Sequence, residues 1–139
     1  MLLDTNILIY AINSDSPKNK IAQLFIQTHK KDLVIAHQNI FEALRVLTHP
    51  KFSHPMKVSD AQEAVLGISE VCPLITPNYK TLYLALALIK EYKLIGNQIF
   101  DAYLAATALS NDITTIATDN IKDFQKFGIT LVNPFVSKN

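Results

Sequence analysis

Short apolar runs alternate along the chain with longer stretches of helical spacing. Met1–Asp4 reads as a strand that enters a helix at Thr5. Ser16-Pro17 has the form of an N-cap followed by proline at the first helical position. A helix is therefore predicted from there to about Lys30, with Ile21, Leu24, Phe25 and Thr28 on one face. Leu33–Ala36 is a second short strand, and Asn39–Thr48 is a helix stopped by Pro50. Ser59 with Gln62 three residues on forms a capping-box pattern that opens a further helix. Cys72–Thr76 is a short apolar run of strand type, and Asn78–Tyr92 and Asn97–Ser110 are helices. Ile113–Thr118 and Ile129–Val132 are strands, with a short helix near Ile121–Phe127 between them. Strands separated by helices argue for right-handed βαβ units on a parallel sheet, an α/β fold. Only three glycines interrupt the chain, which favours helix over a many-turned all-β fold.

Length and composition narrow this. The 139 residues fit a single domain, 1–139. Hydrophobic residues make up 49% and charged residues 18%, which excludes disorder and leaves apolar surface for a partner to cover. Thirteen basic against twelve acidic residues give a net charge of +1, so any pull toward nucleic acid must be local. The lone Cys72 excludes an internal disulfide framework and a cysteine-based zinc site. The start carries no signal-peptide pattern. The longest apolar run, Leu82–Ile89, has eight residues, far short of the ~20 that span a membrane. A cytoplasmic protein with no membrane partner is expected.

Most acids sit in loops, caps and polar faces, but five do not. Asp4 ends the first strand, and Glu42 lies within Ile40-Phe41-Glu42-Ala43-Leu44. Asp101 lies within Ile99-Phe100-Asp101-Ala102-Tyr103-Leu104. Asp119 follows the strand Ile116-Ala117-Thr118, and Asp123 precedes Phe124 one turn later. A buried, unpaired carboxylate costs several kcal/mol, roughly. Arg45 is the only arginine, and lysines are scarce near these positions. Such acids need another cation, and an all-oxygen donor set favours Mg²⁺ or Mn²⁺ over zinc. Ligands of open parallel sheets bind beyond the carboxyl ends of strands, where Asp4 and Asp119 lie. Each acid also has a plainer reading. Asp4 is an N-cap, Asp101 answers a helix dipole, or Glu42 pairs with Arg45 at i+3. Their conjunction is harder to explain one by one.

Four segments resemble, in order, the acidic motifs of PIN-domain ribonucleases of the VapC toxin type. They are Leu2-Leu3-Asp4-Thr5-Asn6-Ile7-Leu8-Ile9-Tyr10, Phe41-Glu42-Ala43-Leu44-Arg45-Val46-Leu47-Thr48-His49-Pro50, Phe100-Asp101-Ala102-Tyr103-Leu104-Ala105-Ala106 and Thr118-Asp119-Asn120-Ile121-Lys122-Asp123-Phe124. Val132-Asn133-Pro134-Phe135 is similar to the family's closing strand. The resemblance spans essentially the whole chain. It implies a three-layer α/β/α sandwich with a central parallel sheet and an acidic pocket for Mg²⁺ or Mn²⁺. It also implies endonucleolytic cleavage of RNA, an antitoxin partner and a homodimer. Asp4, Glu42 and Asp101 rank first as catalytic and metal-holding residues, then Asp119, then Asp123. The fourth acid is either Asp119 or Asp123, and Asn120 stands where the family also uses aspartate. Phe100 departs from the family's frequent polar or acidic residue.

Thr5 and Thr118 are placed to orient Asp4 and Asp119 or to cap, and Asn6 to hold the same carboxylates or to cap. Beyond Glu42 the chain has no acid until after Ser59, but holds Arg45, His49, Lys51, His54 and Lys57 with Phe52 among them. Arg45, Lys51 and Lys57 are candidate RNA contacts, with a solvated loop as the plainer alternative. The all-round apolar Leu82–Ile89 is either core or covered by a second subunit. A non-catalytic PIN-like module that binds RNA or protein is the rival function. A phosphotransfer role for Asp4 is disfavoured because Asn6, not a second aspartate, stands two residues on.

Overall fold

The computed structural model describes residues 1–136. Residues 137–139, included in the expected domain 1–139, lie outside the described residues. Five short strands carry the frame: β1 Leu2–Leu3, β2 Ile35–Ala36, β3 Leu74–Ile75, β4 Thr115–Ala117 and β5 Thr130–Val132. β1, β4 and β5 pair in that order, all parallel, and β2 pairs parallel with β3. A bridge between Leu2 and Val34, with the Leu3 N–H donating to the Val34 carbonyl at 2.9 Å, joins the two sets. The strand order across the molecule is therefore β3-β2-β1-β4-β5.

Seven helices cover this sheet: α1 Thr5–Ile12, α2 Asn19–His29, α3 His37–Leu47, α4 Val58–Ser69, α5 Tyr79–Tyr92, α6 Gln98–Ser110 and α7 Ile121–Phe124. Successive side chains of a strand face opposite ways, and the register Leu2–Ile116, Leu3–Ala117 uses this. Leu2 and Ile116 enter a core with Leu104, Ala105 and Leu88 from α5 and α6. Leu3 and Ala117 enter another with Ile7, Leu8, Ala22 and Ile26 from α1 and α2. A third cluster, Ala43, Leu47, Ala61 and Val65, joins α3 to α4. The result is the α/β/α sandwich with a central parallel sheet. Because both faces of β1 are covered, its residues read as a continuous apolar pair rather than an alternation.

Several boundaries and faces differ from expectation. α2 starts at Asn19, not at Ser16-Pro17; the Ser16 hydroxyl instead accepts from the Lys18 N–H at 3.2 Å within a turn. Its buried residues are Ala22 and Ile26, whereas Ile21 and Leu24 are 45% and 64% exposed. The inward face is the one that meets α1, where Ala22 and Ile26 share a core with Ile7, Leu8 and Ala11. The Ser59–Gln62 capping box does not form. α4 begins two residues earlier, at Val58, with Lys57 rather than Ser59 at the cap and no side-chain cap bond. The run Leu82–Ile89 is split: Ala85 and Leu88 are buried, but Leu82, Tyr83 and Leu86 are exposed.

Replacing Ile116, which is fully buried on β4, with alanine is expected to lower stability by about 2–5 kcal/mol in urea denaturation. The exposed Leu86→Ala is expected to change it by no more than about 0.5 kcal/mol.

Candidate functional site

The register of β1 against β4 builds the site. The Asp4 N–H donates to the Ala117 carbonyl at 2.9 Å, so Asp4 and Thr118 leave neighbouring strands side by side. The Thr118 hydroxyl donates to Asp4 Oδ2 at 2.7 Å, and the Thr5 N–H donates to Asp4 Oδ1 at 2.7 Å. Asp4 is thus both the N-cap of α1 and a carboxylate aimed beyond the strand ends.

Glu42 reaches the same place from α3. Its Oε2 accepts from the Thr5 hydroxyl at 2.8 Å and its Oε1 from Gln38 Nε2, one helical turn earlier, at 2.7 Å. Thr5 in turn accepts from Asn39 Nδ2 at 3.1 Å, while Asn39 Oδ1 takes the Ala36 N–H at 2.8 Å. Asn39 is fully buried and ties the start of α3 to the start of α1. Asp101 arrives in the first turn of α6. Asp123 sits on α7, where the Asn120 side-chain amide donates to its Oδ2.

Electrostatics marks these four as one group. Burial, followed by the charges of Glu42 and Asp123, pushes the Asp4 carboxyl from 3.8 to about 6 despite its hydrogen bonds to Thr118 and Thr5. Burial, followed by Asp123, Asp4 and Glu42, pushes Asp101 to about 6, with Lys126 opposing. Among the described residues, neither Asp4, Glu42, Asp101 nor Asp123 has a Lys, Arg or His in ion-pair contact.

Asp119 lies elsewhere. It is ion-paired to Lys18 and accepts from the Tyr10 hydroxyl at 3.0 Å. Burial raises its pKa, but the Lys18 and Tyr10 bonds outweigh burial and hold it below the ordinary carboxylate value. Lys18 Nζ also lies 5.0 Å from the Tyr10 ring centroid and 5.1 Å from that of Phe135. The expectation that Asp119 is an acid without a basic partner is therefore corrected: a lysine far away in sequence pairs with it. The roles of the threonines are corrected too. The Thr5 hydroxyl holds Glu42, while only its N–H reaches Asp4, and the Thr118 hydroxyl holds Asp4 rather than Asp119. Asn6 touches no carboxylate; its side chain contacts the Thr118 hydroxyl and the Asp119 N–H, each at 3.4 Å.

Gln38, Asn39, Tyr10 and Lys18 were not singled out by the sequence. The i, i+4 spacing of Gln38 and Glu42 is a visible signal for the first. Asn39, a polar residue one turn ahead of the apolar Ala43 and Leu47, signals the second. Nothing local marks Lys18.

Could the group hold a metal ion? Its donors are all oxygen, and its carboxylates repel one another with no cation in contact, which suits Mg²⁺ or Mn²⁺. Among the described residues, no three acidic, histidine or cysteine side chains close into a cage. The site is therefore an open one, suited to an ion that keeps several waters and takes one or two carboxylates directly.

Of the basic residues, Arg45 lines a hollow of about 360 Å³ with Glu42 and a second of about 290 Å³ with His49, Lys51 and Phe52. Lys57 caps α4. His54 faces Asp15, Nδ1 to Oδ2 at 2.6 Å, and is not free for a phosphate. No helix among the described residues is long and apolar enough to cross a membrane.

The PIN domain family model matches residues 1–129. Ribonuclease VapC24 of Mycobacterium tuberculosis is 28% identical over 141 aligned positions, covering 94% of this chain and 92% of that protein. A chain of the Rickettsia felis VapBC2 structure, bound to a DNA fragment from its promoter, superposes with a TM-score of 0.72 at 21% identity, covering 95% of this chain and 96% of its own. Mycobacterium tuberculosis VapC20, a sarcin–ricin-loop-cleaving toxin, superposes with a TM-score of 0.73 at 17% identity, covering 96% and 98%. The likeness to these solved structures is one of fold.

The raised carboxyls make stability depend on pH. Between about 4 and 6 the folded protein keeps protons on Asp4 and Asp101 that the unfolded chain releases, so metal-free stability falls as pH rises through that interval. Asp119 acts in the opposite sense: its contribution is present above the ordinary carboxyl range and lost as pH falls. Asp101→Asn removes one repelling charge. With EDTA present at pH 7 it is expected to stabilise the protein by about 1 kcal/mol after allowance for solvent screening, roughly 2–5 °C in Tm. At pH 4 the gain should vanish. A lower Tm for the variant at pH 7 would mean that Asp101 has a stabilising partner.

Proposed function

Because the chain belongs to the PIN-domain family, we propose that it is a divalent-metal-dependent endoribonuclease, the toxin of a toxin–antitoxin pair. The observation that carries this is the group of Asp4, Glu42, Asp101 and Asp123, mutually repelling and without basic partners, beyond the carboxyl ends of β1 and β4. The names of its relatives support the same reading: VapC24 is a ribonuclease, and the VapBC2 structure is that of a VapBC pair. A cytoplasmic setting, a homodimer and a cognate antitoxin belong to the proposal. The exposed apolar residues Leu82, Tyr83 and Leu86 of α5 give such partners a surface.

These four acids form the proposed metal site, one or two of them binding the ion directly and the others through its waters, with Asp123 rather than Asp119 as the fourth. When bound, Mg²⁺ or Mn²⁺ supplies charge neutralisation at the phosphate oxygens and a more acidic attacking water. The protein's part is to aim the carboxylates. Thr118 fixes Asp4, Thr5 and Gln38 fix the two oxygens of Glu42, and Asn120 fixes Asp123. Such outer bonds set ligand orientation. Arg45, Lys51 and Lys57 bind the RNA phosphates.

Purified Asp4→Asn and Asp101→Asn are each expected to abolish cleavage of single-stranded RNA while circular dichroism reports an intact fold. Asp101→Asn should also lose the rise in Tm that Mg²⁺ or Mn²⁺ gives the wild type. Asp119→Asn, paired to Lys18 and Tyr10 and bonded to none of the four acids, should retain most of its activity. Wild-type rates in either of the first two variants would overturn the assignment.

Lys51→Glu combined with Lys57→Glu is expected to weaken RNA binding. Each lost phosphate contact should flatten the plot of log K against log salt by about 0.7. An unchanged slope would mean that the RNA runs elsewhere.

A further inference from the structure

Two of the acids are each preceded by a phenylalanine: Phe41 stands before Glu42 and Phe100 before Asp101. Both rings line one hollow of about 360 Å³, together with Gln38, Arg45 and Asn97. They are 69% and 58% exposed. Two large aromatics left in water beside an acidic site call for an occupant. The hollow is tied to the acids by one amide: Gln38 Nε2 donates to the Phe100 carbonyl at 2.9 Å and to Glu42 Oε1 at 2.7 Å. Whatever fills the hollow therefore lies next to the proposed metal ligands.

Two of its polar groups, Arg45 and Asn97, are uncommitted. Among the described residues Arg45 makes no ion pair. Asn97 stands at the cap of α6, yet its side chain makes no capping bond. Arg45 is shared with the neighbouring hollow of His49, Lys51 and Phe52, so the cationic lining continues past the aromatic one. Exposed rings flanked by a free guanidinium and a free amide match an unstacked base with its phosphate. Single-stranded RNA is read in this way, by stacking and by hydrogen bonds to base edges. A purely apolar peptide would leave Arg45 unpaired.

Resting on the nuclease reading, we propose that this hollow is a base-recognition site. One unpaired nucleobase flanking the cleaved phosphate enters between Phe41 and Phe100, Asn97 reads its edge, and Arg45 holds its phosphate. The site gives the enzyme a nucleotide preference at one position beside the cut.

The test has two arms. In the first, a random-sequence RNA pool is cut by the wild type, Phe41→Ala, Phe100→Ala, Phe100→Trp and Asn97→Ala, and the cut ends are sequenced. The alanine variants at the rings should raise KM about tenfold, with a smaller change in kcat, and flatten the preference at one position. Phe100→Trp should restore the KM, and Asn97→Ala should flatten the preference with a smaller rise in KM. In the second arm, cleavage-deficient Asp101→Asn is mixed with an RNA oligonucleotide carrying the fluorescent base 2-aminopurine. Stacking should quench it, and Asp101→Asn/Phe100→Ala should not.

Wild-type KM, base preference and quenching in the ring variants would overturn the proposal. So would ring variants with unchanged RNA parameters that convert a dimer to monomers in sedimentation, since the rings would then form a protein contact. A wild type that cuts no RNA with Mg²⁺ or Mn²⁺, while the quench persists and depends on Phe100, would overturn the nuclease reading and leave the base site standing.

Discussion

One backbone register holds the site together. The bond from the Asp4 N–H to the Ala117 carbonyl continues the pairing of β1 with β4 by one residue past the strand ends. It sets Asp4 beside Thr118, and the hydroxyl of Thr118 can then reach the carboxylate. A slip of one residue would exchange the faces of Leu3 and Ala117 and empty both cores at once. The apolar filling on the two sides of the sheet therefore fixes the position of a carboxylate that is itself costly to bury.

That cost is met with unusual restraint in basic residues. Asp119 shows how the fold treats an acid it only needs to accommodate. It receives Lys18, Tyr10 and contacts from Asn133. Asp4 and Glu42 receive only neutral donors, from Thr118, Thr5 and Gln38, and Asp123 receives one from Asn120. Neutral donors orient a carboxylate without cancelling its charge, so the negative potential stays available to a ligand. The two treatments occur four residues apart, at Asp119 after β4 and at Asp123 on α7.

Much of this was legible in the chain. Asp4, Glu42 and Asp101 stand out because each interrupts an apolar run, and a carboxylate there needs a reason. The parallel sheet followed from strands spaced by helices. What was not legible depends on partners distant in sequence. Asp119 and Asp123 both follow β4, and their separation into a paired acid and a site acid rests on Lys18, 101 residues away. The threonine roles crossed over for the same reason: Thr5 and Thr118 sit beside one acid in sequence and beside another in space. Spacing alone does not give the inward face of α2: Ala22 and Ile26 enter the core with Phe25 packed against it, while Ile21 and Leu24 stay exposed.

The β1–β4 pairing also orders events during synthesis. Asp4 is made 114 residues before its Thr118 partner, and Asp123 follows Thr118 in turn. Nascent chains grow at about 5–20 residues per second, so Asp4 waits for seconds without the hydroxyl that orients it. A protein that cuts RNA thus acquires its cutting centre only after β4 and α7 have joined the chain.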